Sequence, residues 1–599
     1  MVYRRSSSVV VTHYCFLFLY PKLQMNFQLT DWIVLCVTLL GVIAYGIYKS
    51  RTNKNLEGYF LSNRQMPWYL VLLGIMGTQA SAITFLTAPG QAYTDGMGFI
   101  QNYFGLPLAM IVVSITFVPL FNKLKVFTAY EFLETRFDLK TRTLTSFLFL
   151  FSRGLSTGIS ILAPSLILHS MMGWDIYITN IVMGGLLIIY TVSGGAKAVA
   201  YTQQLQFIII YIAMFLAGWY ALKSLPGGVG FTDALHVAGK AGKLNAITTG
   251  FTEKGFNWTD KYNLWSGIIG GFFLSLSYFG TDQSQVGRYL TAKDTRESRL
   301  GLLMNGLVKI TLQFCILLIG CLVFAYYAFF NAPLSFNRLQ EETVLKSSYA
   351  GAYSAAQTRY ELLQQNKQQT VAQLSVAVKE KNEIKIDEYR TQLQLQEKES
   401  NAIRKEVKTM IEKASPGADT KDANYVFLYF VSDVLPTGLV GLVIAIIFLA
   451  AWGSIAAALN SLASCTMIDF HKKFSTAQLS AEQEYKWGRI YTLLWGLFCI
   501  VVAFFSYSLG NSLIEAVNIL GSWFYGTILG IFLVAFYLKN VKADAVFIAA
   551  LLAEVIVIGT YYLKIVSFLW LNVIGAVAVI VLSVLLQFVL KSKTKKKVL

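Results

Sequence analysis

WYLVLLGIMGTQASAITFLTAPGQAY, residues 68 to 93, is the most informative segment of the sequence for the architecture of the chain. It is long and apolar enough to cross a bilayer core, for which about 20 residues are needed. Pro89 stands near its end, and small or polar residues lie at membrane depth: Gly74, Gly77, Thr78, Gln79, Ser81 and Thr84. Such a helix is easily broken, and the carbonyl groups freed by a break can ligate a hard cation such as Na⁺. The alternative is close packing against another helix.

The whole chain has the composition of a membrane protein. It has 599 residues, of which 55% are hydrophobic and 14% charged, a balance that a water-soluble domain could hardly keep in solution. The apolar runs are expected to be helices, because lipid offers no partner to an unpaired backbone. We predict about 13 spans, at approximately 32–49, 68–92, 97–121, 142–172, 175–193, 202–222, 264–286, 300–330, 436–466, 487–508, 513–538, 543–563 and 566–590.

The placement of the basic residues decides what the net charge of +17 means. In a soluble protein such a charge would suggest a nucleic-acid partner. Here the lysines and arginines concentrate in alternate loops between the spans and in the tail after residue 590, which is the pattern of cytoplasmic segments. We therefore expect the lipid bilayer of the plasma membrane as partner and no nucleic acid, with the N-terminus outside and the C-terminus in the cytoplasm.

The boundaries of the spans divide the chain into five parts. Residues 1–31 form an external N-terminal segment. Residues 1–24 superficially resemble a signal peptide but lack a cleavage site, and a start of translation at Met25 is the alternative. A first transmembrane part covers 32–330, an external loop 331–435, a second transmembrane part 436–590 and a basic cytoplasmic tail 591–599.

The external loop contains an unusual polar insertion. Residues 341–412 are rich in Gln, Glu, Lys and Ala and nearly free of Gly and Pro, which predicts a long polar helix or a helical hairpin that turns near residues 381–386. The insertion could contact another protein. A solvated excursion without a partner is the alternative, because its apolar positions are sparse.

The seventh span is interrupted in the same way as the second. Its glycines Gly267, Gly270 and Gly271 precede Tyr278, and Asp282 follows near the end. Transporters with inverted repeats place two discontinuous helices at corresponding positions, with the solute and the ion between them. Close packing through glycine is again the alternative.

Several motifs resemble those of one family. They are TAYEFLETRF (128–137), YTVSGGAKAVAYTQQLQ (190–206), SYFGTDQSQVGRYLTAKD (277–294), LPTGLVGLVIAIIFLAAWGSIAAALNS (435–461) and NILGSWFYGTILGIF (518–532). In this order they resemble the sodium:solute symporter family. The resemblance implies an all-α, leucine-transporter-like fold with two inverted five-helix repeats, here spans two to six and seven to eleven, which works by alternating access.

The resemblance also implies a sodium site between the second and ninth spans. Its ligands would be the hydroxyl of Ser454 and the carbonyl groups of Gly77, Ala80, Ala450 and Gly453. Two positions depart from the family pattern. Gly453 stands where Ser or Thr is common, and Gln203 replaces an acid that assists sodium binding or release in relatives. We therefore expect one sodium per cycle as the coupling ion, and no other cofactor.

Five residues are candidates for binding the solute. Arg153 lies about 11 residues into the fourth span, close to the midplane. Its partner would be Asp282, a carboxylate of the solute or backbone carbonyl groups, since a buried charge needs compensation. Tyr278 matches an aromatic inner gate of the sugar-transporting relatives. Gln79 and Gln101 could donate hydrogen bonds to a polar solute, and Asp282 could also serve an inner gate.

These features predict a sodium-coupled symporter that imports a small organic solute, either a carboxylate or a sugar. A non-transporting sensor or a channel on the same fold is the alternative. An enzyme is not expected, because the four histidines His13, His169, His236 and His471 are dispersed and no nucleophile constellation appears.

Overall fold

The computed structural model describes residues 27–50, 56–416, 418–475, 479–507 and 513–596. The predictions for residues 1–24, including the start at Met25, lie outside these residues, as does the end of the basic tail. Helices dominate the fold. The first ten are α1 (Leu29–Ser50), α2 (Leu56–Leu61), α3 (Trp68–Gln79), α4 (Ala82–Asp95), α5 (Leu106–Val112), α6 (Val118–Leu124), α7 (Glu131–Arg136), α8 (Leu139–Met172), α9 (Ile176–Lys223) and α10 (Phe231–Lys240).

A two-stranded antiparallel hairpin, β1 (Phe251–Thr252) and β2 (Gly255–Phe256), separates these helices from the rest. The remaining helices are α11 (Gly271–Thr281), α12 (Gln283–Tyr289), α13 (Thr295–Phe329), α14 (Arg338–Leu345), α15 (Ala350–Lys379), α16 (Glu383–Ala414), α17 (Val426–Val434), α18 (Leu439–Cys465), α19 (Lys472–Phe474), α20 (Ala481–Ser506), α21 (Leu513–Tyr537), α22 (Ala543–Tyr562) and α23 (Phe568–Lys596).

The prediction of about 13 spans is not confirmed. In the described residues ten helices are long and apolar enough to cross a membrane, or 11 if the bent pair α3 and α4 counts as one span. The two other predicted spans yield shorter helices. Span 175–193 yields an apolar helix over Ile176–Val192. In span 264–286 the chain is helical from residue 264 to Thr281, with a π-turn over Ser266–Gly270, and then stops at a break.

The helix α9 contains the predicted fifth and sixth spans and bends between them. The hydroxyl groups of Tyr190 and Thr202 lie 2.6 Å apart. Residues 12 positions apart on a straight helix are separated by about 18 Å, at a rise of 1.5 Å per residue. The chain therefore changes direction between its two apolar stretches, Ile176–Val192 and Tyr201–Lys223.

The helix α18 lies at the centre of the bundle. It packs against α1, α3, α8 and α9, and 89% of the residues in its most apolar 18-residue stretch are buried. Its run of Ala, Gly and Ser allows the neighbouring backbones to approach closely, as small residues do in membrane helices. The central position brings α18 against the broken second span, where the sodium site was expected.

The polar insertion is a helical hairpin rather than one long helix. The helices α15 and α16 pack side by side, and Lys381 in the turn between them has a φ of 54°. Arg359 and Glu406 form a cross-hairpin ion pair at 2.9 Å. The Lys379 ammonium donates to the carbonyl of Gly228 at 2.6 Å, so the hairpin is fastened to the loop before α10.

Candidate functional site

The second span breaks at the sequence TQAS, and the break redirects two backbone donors. The N–H of Ser81, which in a regular helix would bond the Gly77 carbonyl, donates to Gln79 at 3.0 Å. The N–H of Thr84, the regular partner of Ala80, donates to the Ser81 carbonyl at 3.0 Å. The helix axes of α3 and α4 differ by 62°. The break thus takes the regular helical donors away from the carbonyl groups of Gly77 and Ala80.

The other three expected sodium ligands lie together on α18, which packs against α3. Ala450, Gly453 and Ser454 are all buried. The Ser454 hydroxyl donates to the carbonyl groups of Ala450 and Ala451, at 3.0 and 3.2 Å. This is the usual back-bonding of serine in a membrane helix. The hydroxyl oxygen keeps acceptor capacity for a cation.

Gln203 lies between the two helices. A methyl group built on Gly77 would lie 2.6 Å from its amide carbon, and one built on Gly453 would lie 3.4 Å from its Cγ. Its Nε2 donates to the Gly453 carbonyl at 3.2 Å. The side chain is fully buried, and its Oε1 has no hydrogen-bond partner among the described residues. Gln203, which stands where relatives have an acid, is therefore in direct contact with the expected sodium site.

The seventh span is also broken. Its helix α11 ends at Thr281, and Asp282 has an extended backbone with a ψ of 116° before α12 begins. The Asp282 carboxylate caps α12 by accepting from the N–H of Ser284 at 2.8 Å. The hydroxyl of Tyr525 donates to its other oxygen at 3.0 Å. The seventh span is thus interrupted at Asp282, near its end, whereas its glycines Gly267, Gly270 and Gly271 lie in a continuous helical stretch.

A cavity of about 150 Å³ lies between the two broken spans. It is lined by residues of α3, α4, α8, α11, α13 and α21 and of the segment that leads into α5. Its polar lining consists of Gln79, Ser81, Thr84, Asn102, Tyr103, Arg153, Ser160, Ser275, Tyr278, Lys309, Asn518 and Tyr525, and none of the lining residues is acidic.

Arg153 lines this cavity and faces Asp282 behind it. One guanidinium nitrogen lies 3.8 Å from the Asp282 carboxylate, and the guanidinium carbon lies 5.9 Å from the ring centre of Tyr278. Of the three expected partners, Asp282 is therefore in contact. The Nε of Arg153 is buried without a hydrogen-bond partner in the described part of the chain, so the group keeps a donor for a further acceptor.

Lys309 on α13 is a second cation in the cavity, and sequence reasoning missed it. Its side chain is 2% exposed and its ammonium lies 5.5 Å from the ring centre of Tyr103. Within the described residues it has no ion pair and no hydrogen bond. Lys309 lies about as deep in its predicted span as Arg153 does in its own. The same depth criterion would have identified it.

The remaining predicted solute ligands divide into two groups. Gln79 and Tyr278 line the cavity; the Gln79 amide donates to Asn305 at 3.1 Å, and the Tyr278 hydroxyl accepts from Gln285 at 2.7 Å. Gln101 does not line the cavity, because its amide donates to the Tyr262 carbonyl at 2.9 Å and holds the loop between β2 and α11. Asp282 does not line the cavity either; its carboxylate pairs with Arg153 from behind the cavity wall.

Comparison with known proteins gives consistent matches. A sequence model of the sodium:solute symporter family matches residues 59–343 and 407–553. A sodium/sialic acid symporter from Proteus mirabilis is 23% identical over 557 residues, covering 93% of this chain and 94% of the relative. The sodium-coupled monocarboxylate transporter 1 of Homo sapiens is 29% identical over 313 residues, covering 51% of this chain and 50% of the relative.

The overall fold also matches a solved structure. A Na⁺-coupled sialic acid symporter in a substrate-bound, outward-open state superimposes with a TM-score of 0.71 at 22% identity. The alignment covers 94% of this chain and 98% of that protein. The two proteins share a fold.

Proposed function

Since the chain belongs to the sodium:solute symporter family, we propose that it is a sodium-coupled symporter that imports a small organic monocarboxylate by alternating access. The observation that carries this proposal is the pair of cations, Arg153 and Lys309, in a cavity without an acidic lining residue. Two of the relatives are named as transporters of sialic acid and of monocarboxylates, which are acids as well.

The charge balance of the cavity favours one carboxylate. Arg153 is compensated by Asp282 at 3.8 Å, whereas Lys309 has no acidic partner among the described residues. The cavity wall therefore carries one uncompensated positive charge. A cation inside a membrane protein costs several kcal/mol unless it is paired. A solute with a single carboxylate supplies the missing charge, whereas a neutral sugar does not.

The size of the cavity favours a small solute. Its volume is about 150 Å³, and a cavity of that order holds a molecule the size of benzene. Polar groups that can fix the orientation of the solute surround the cations, among them Gln79, Ser275 and Asn518. A carboxylate of a few carbon atoms fits these limits. Arg153 and Lys309 would bind its charged end, and Tyr278 would face its apolar part.

The sodium site and the repeats belong to the same proposal. Sodium would bind where the break after α3 faces α18, with the five expected ligands Gly77, Ala80, Ala450, Gly453 and Ser454, and one ion would move per cycle. Each broken span would be the first helix of one inverted repeat. The N-terminus would lie outside and the C-terminus in the cytoplasm. The redirected donors at TQAS and the basic loops support this arrangement.

A thermal-shift screen tests the solute class. The purified protein is heated with carboxylates, with the amide analogues of the same carboxylates, with sugars and with amino acids, each in NaCl and in KCl. We expect a raised unfolding temperature only with small carboxylates and more strongly in NaCl. Arg153→Ala should abolish the carboxylate shift while the shift caused by NaCl alone remains. A shift that persists in Arg153→Ala, or one that sugars produce equally, would refute the assignment.

A further inference from the structure

The two departures from the family pattern, at residues 203 and 453, are neighbours in the structure. A side chain at position 453 would clash with one glutamine, Gln206, and contact another, Gln203. A methyl group built on Gly453 would lie 2.7 Å from Oε1 of Gln206, and 3.4 and 3.6 Å from Cγ and Nε2 of Gln203. A serine or threonine at 453 would therefore have to displace the amide oxygen of Gln206, and it would pack directly against Gln203. The two departures from the family pattern are thus in contact with each other.

We infer that Gln203 is itself a sodium ligand, whose amide oxygen takes the place of the hydroxyl that is absent at Gly453. This inference rests on the proposed sodium coupling. It reverses the reading of Gln203 as a mere loss of an acid. A side-chain amide offers a carbonyl oxygen with two lone pairs, the same kind of neutral ligand as a backbone carbonyl.

The position of the amide carries the inference. Its carbon lies where a side chain on Gly77 would be, and its Nε2 is hydrogen-bonded to the Gly453 carbonyl at 3.2 Å. The group therefore contacts both walls of the expected site, the broken helix and α18. Gln203 is fully buried. Its Oε1 has no partner among the described residues, and an unpaired buried amide oxygen costs about 1–3 kcal/mol.

Rotation of the last side-chain torsion converts this amide from a donor into a ligand. The torsion is broad and exchanges the nitrogen and the oxygen without moving the rest of the side chain. The oxygen would then face the Gly453 carbonyl at a separation close to the present 3.2 Å. Oxygen ligands of Ca²⁺, an ion close to Na⁺ in size, lie about 2.4 Å from the ion, so neighbouring ligands are about 3.4 Å apart. The two oxygens can therefore share one Na⁺.

The same rotation explains how the site is satisfied in both forms. Without sodium, the amide N–H group bonds the Gly453 carbonyl, which lies within the helix α18 and can accept this bond with its second lone pair. With sodium, the amide oxygen and that carbonyl both turn to the ion. Gln203 thus couples occupancy of the site to the contact between α9 and α18, because the residue belongs to the first and its partner to the second.

Sodium titration of purified variants tests the inference. The unfolding temperature and ²²Na⁺ binding are measured against NaCl, with choline chloride keeping the ionic strength constant. Gln203→Met keeps the length of the side chain and removes the amide. A glutamate is avoided, because the buried Arg288 lies near the same stretch of α3. We expect the half-saturating sodium concentration to rise at least about tenfold, the equivalent of about 1.4 kcal/mol. The matched control Gln313→Met, at a buried glutamine of α13, should leave it unchanged.

A double variant separates loss of a ligand from damage to the fold. Gln203→Ala alone should weaken sodium binding, and adding Gly453→Ser should restore it to within about threefold of wild type, because the new hydroxyl supplies an oxygen next to the space that the glutamine vacates. Wild-type affinity in Gln203→Met, or a double variant no better than Gln203→Ala, would overturn the role of Gln203. A wild-type protein that does not respond to sodium would instead overturn the proposed function.

Discussion

Replacing Lys309 with methionine removes the uncompensated charge of the cavity and keeps the volume of the side chain. A hydrogen bond to a charged group contributes about 2 kcal/mol, so the half-saturating concentration of a carboxylate should rise about 30-fold, at about 1.4 kcal/mol per factor of ten. The solute-free protein should become more stable, because an unpaired buried ammonium is costly. The side chain is 2% exposed, so solvent offers little compensation.

Two readouts on one preparation check this prediction. Uptake into proteoliposomes under a fixed sodium gradient gives the half-saturating concentration, and thermal unfolding without solute gives the stability. Lys309→Arg, which keeps the charge, should retain the preference for a carboxylate over its amide analogue. An unchanged half-saturating concentration in Lys309→Met would refute the assignment of Lys309 to the solute. A lower unfolding temperature would contradict the claim that its charge is uncompensated.

Two further predictions concern other charged groups. Asp282→Asn keeps the cap of α12 but leaves Arg153 unpaired, so stability should fall by about 3 kcal/mol and recover on addition of a carboxylate in a thermal-shift assay; no loss would contradict the pairing. Glu397 on α16 forms a largely buried ion pair with Lys367 on α15. Glu397→Gln breaks this pair and should destabilise the hairpin by about 3 kcal/mol, measured by protease cleavage between α15 and α16. Burial alone would raise the pKa of Glu397, but Lys367 and Lys243 hold it below its ordinary value. Its contribution is therefore present above about pH 4.3 and lost on further acidification, and an equal acid sensitivity of the variant would refute this role.

The interruption of the second span could be predicted because its signal is local, whereas the seventh span breaks at Asp282 and not at its glycines. Small and polar residues within an apolar run, such as Thr78, Gln79 and Ser81, indicate where a helix loses its regular hydrogen bonds. The number of spans could not be fixed in the same way. Hydropathy does not distinguish a helix that crosses the membrane fully from one that stops at a break. The helix of the seventh span stops in this way at Thr281.

The composition of the site depends on contacts between distant parts of the chain. Gln203 and Gly453 are 250 positions apart, and only packing of α9 on α18 reveals that the two are in contact. Gln101 has the residue type and the depth of a solute ligand, yet its amide donates to the carbonyl of Tyr262, in a loop far along the chain. Lys309 was within reach of sequence reasoning, since its depth in an apolar span was available from the start.

The most direct test of sodium-coupled symport is uptake of a radiolabelled small monocarboxylate into proteoliposomes. Vesicles of the purified protein receive an inward gradient of NaCl or, as control, of KCl at equal ionic strength. We predict accumulation above the external concentration only with sodium, and collapse of that accumulation when a sodium ionophore dissipates the gradient. Equal uptake with sodium and potassium, or uptake that never exceeds equilibration, would contradict the account.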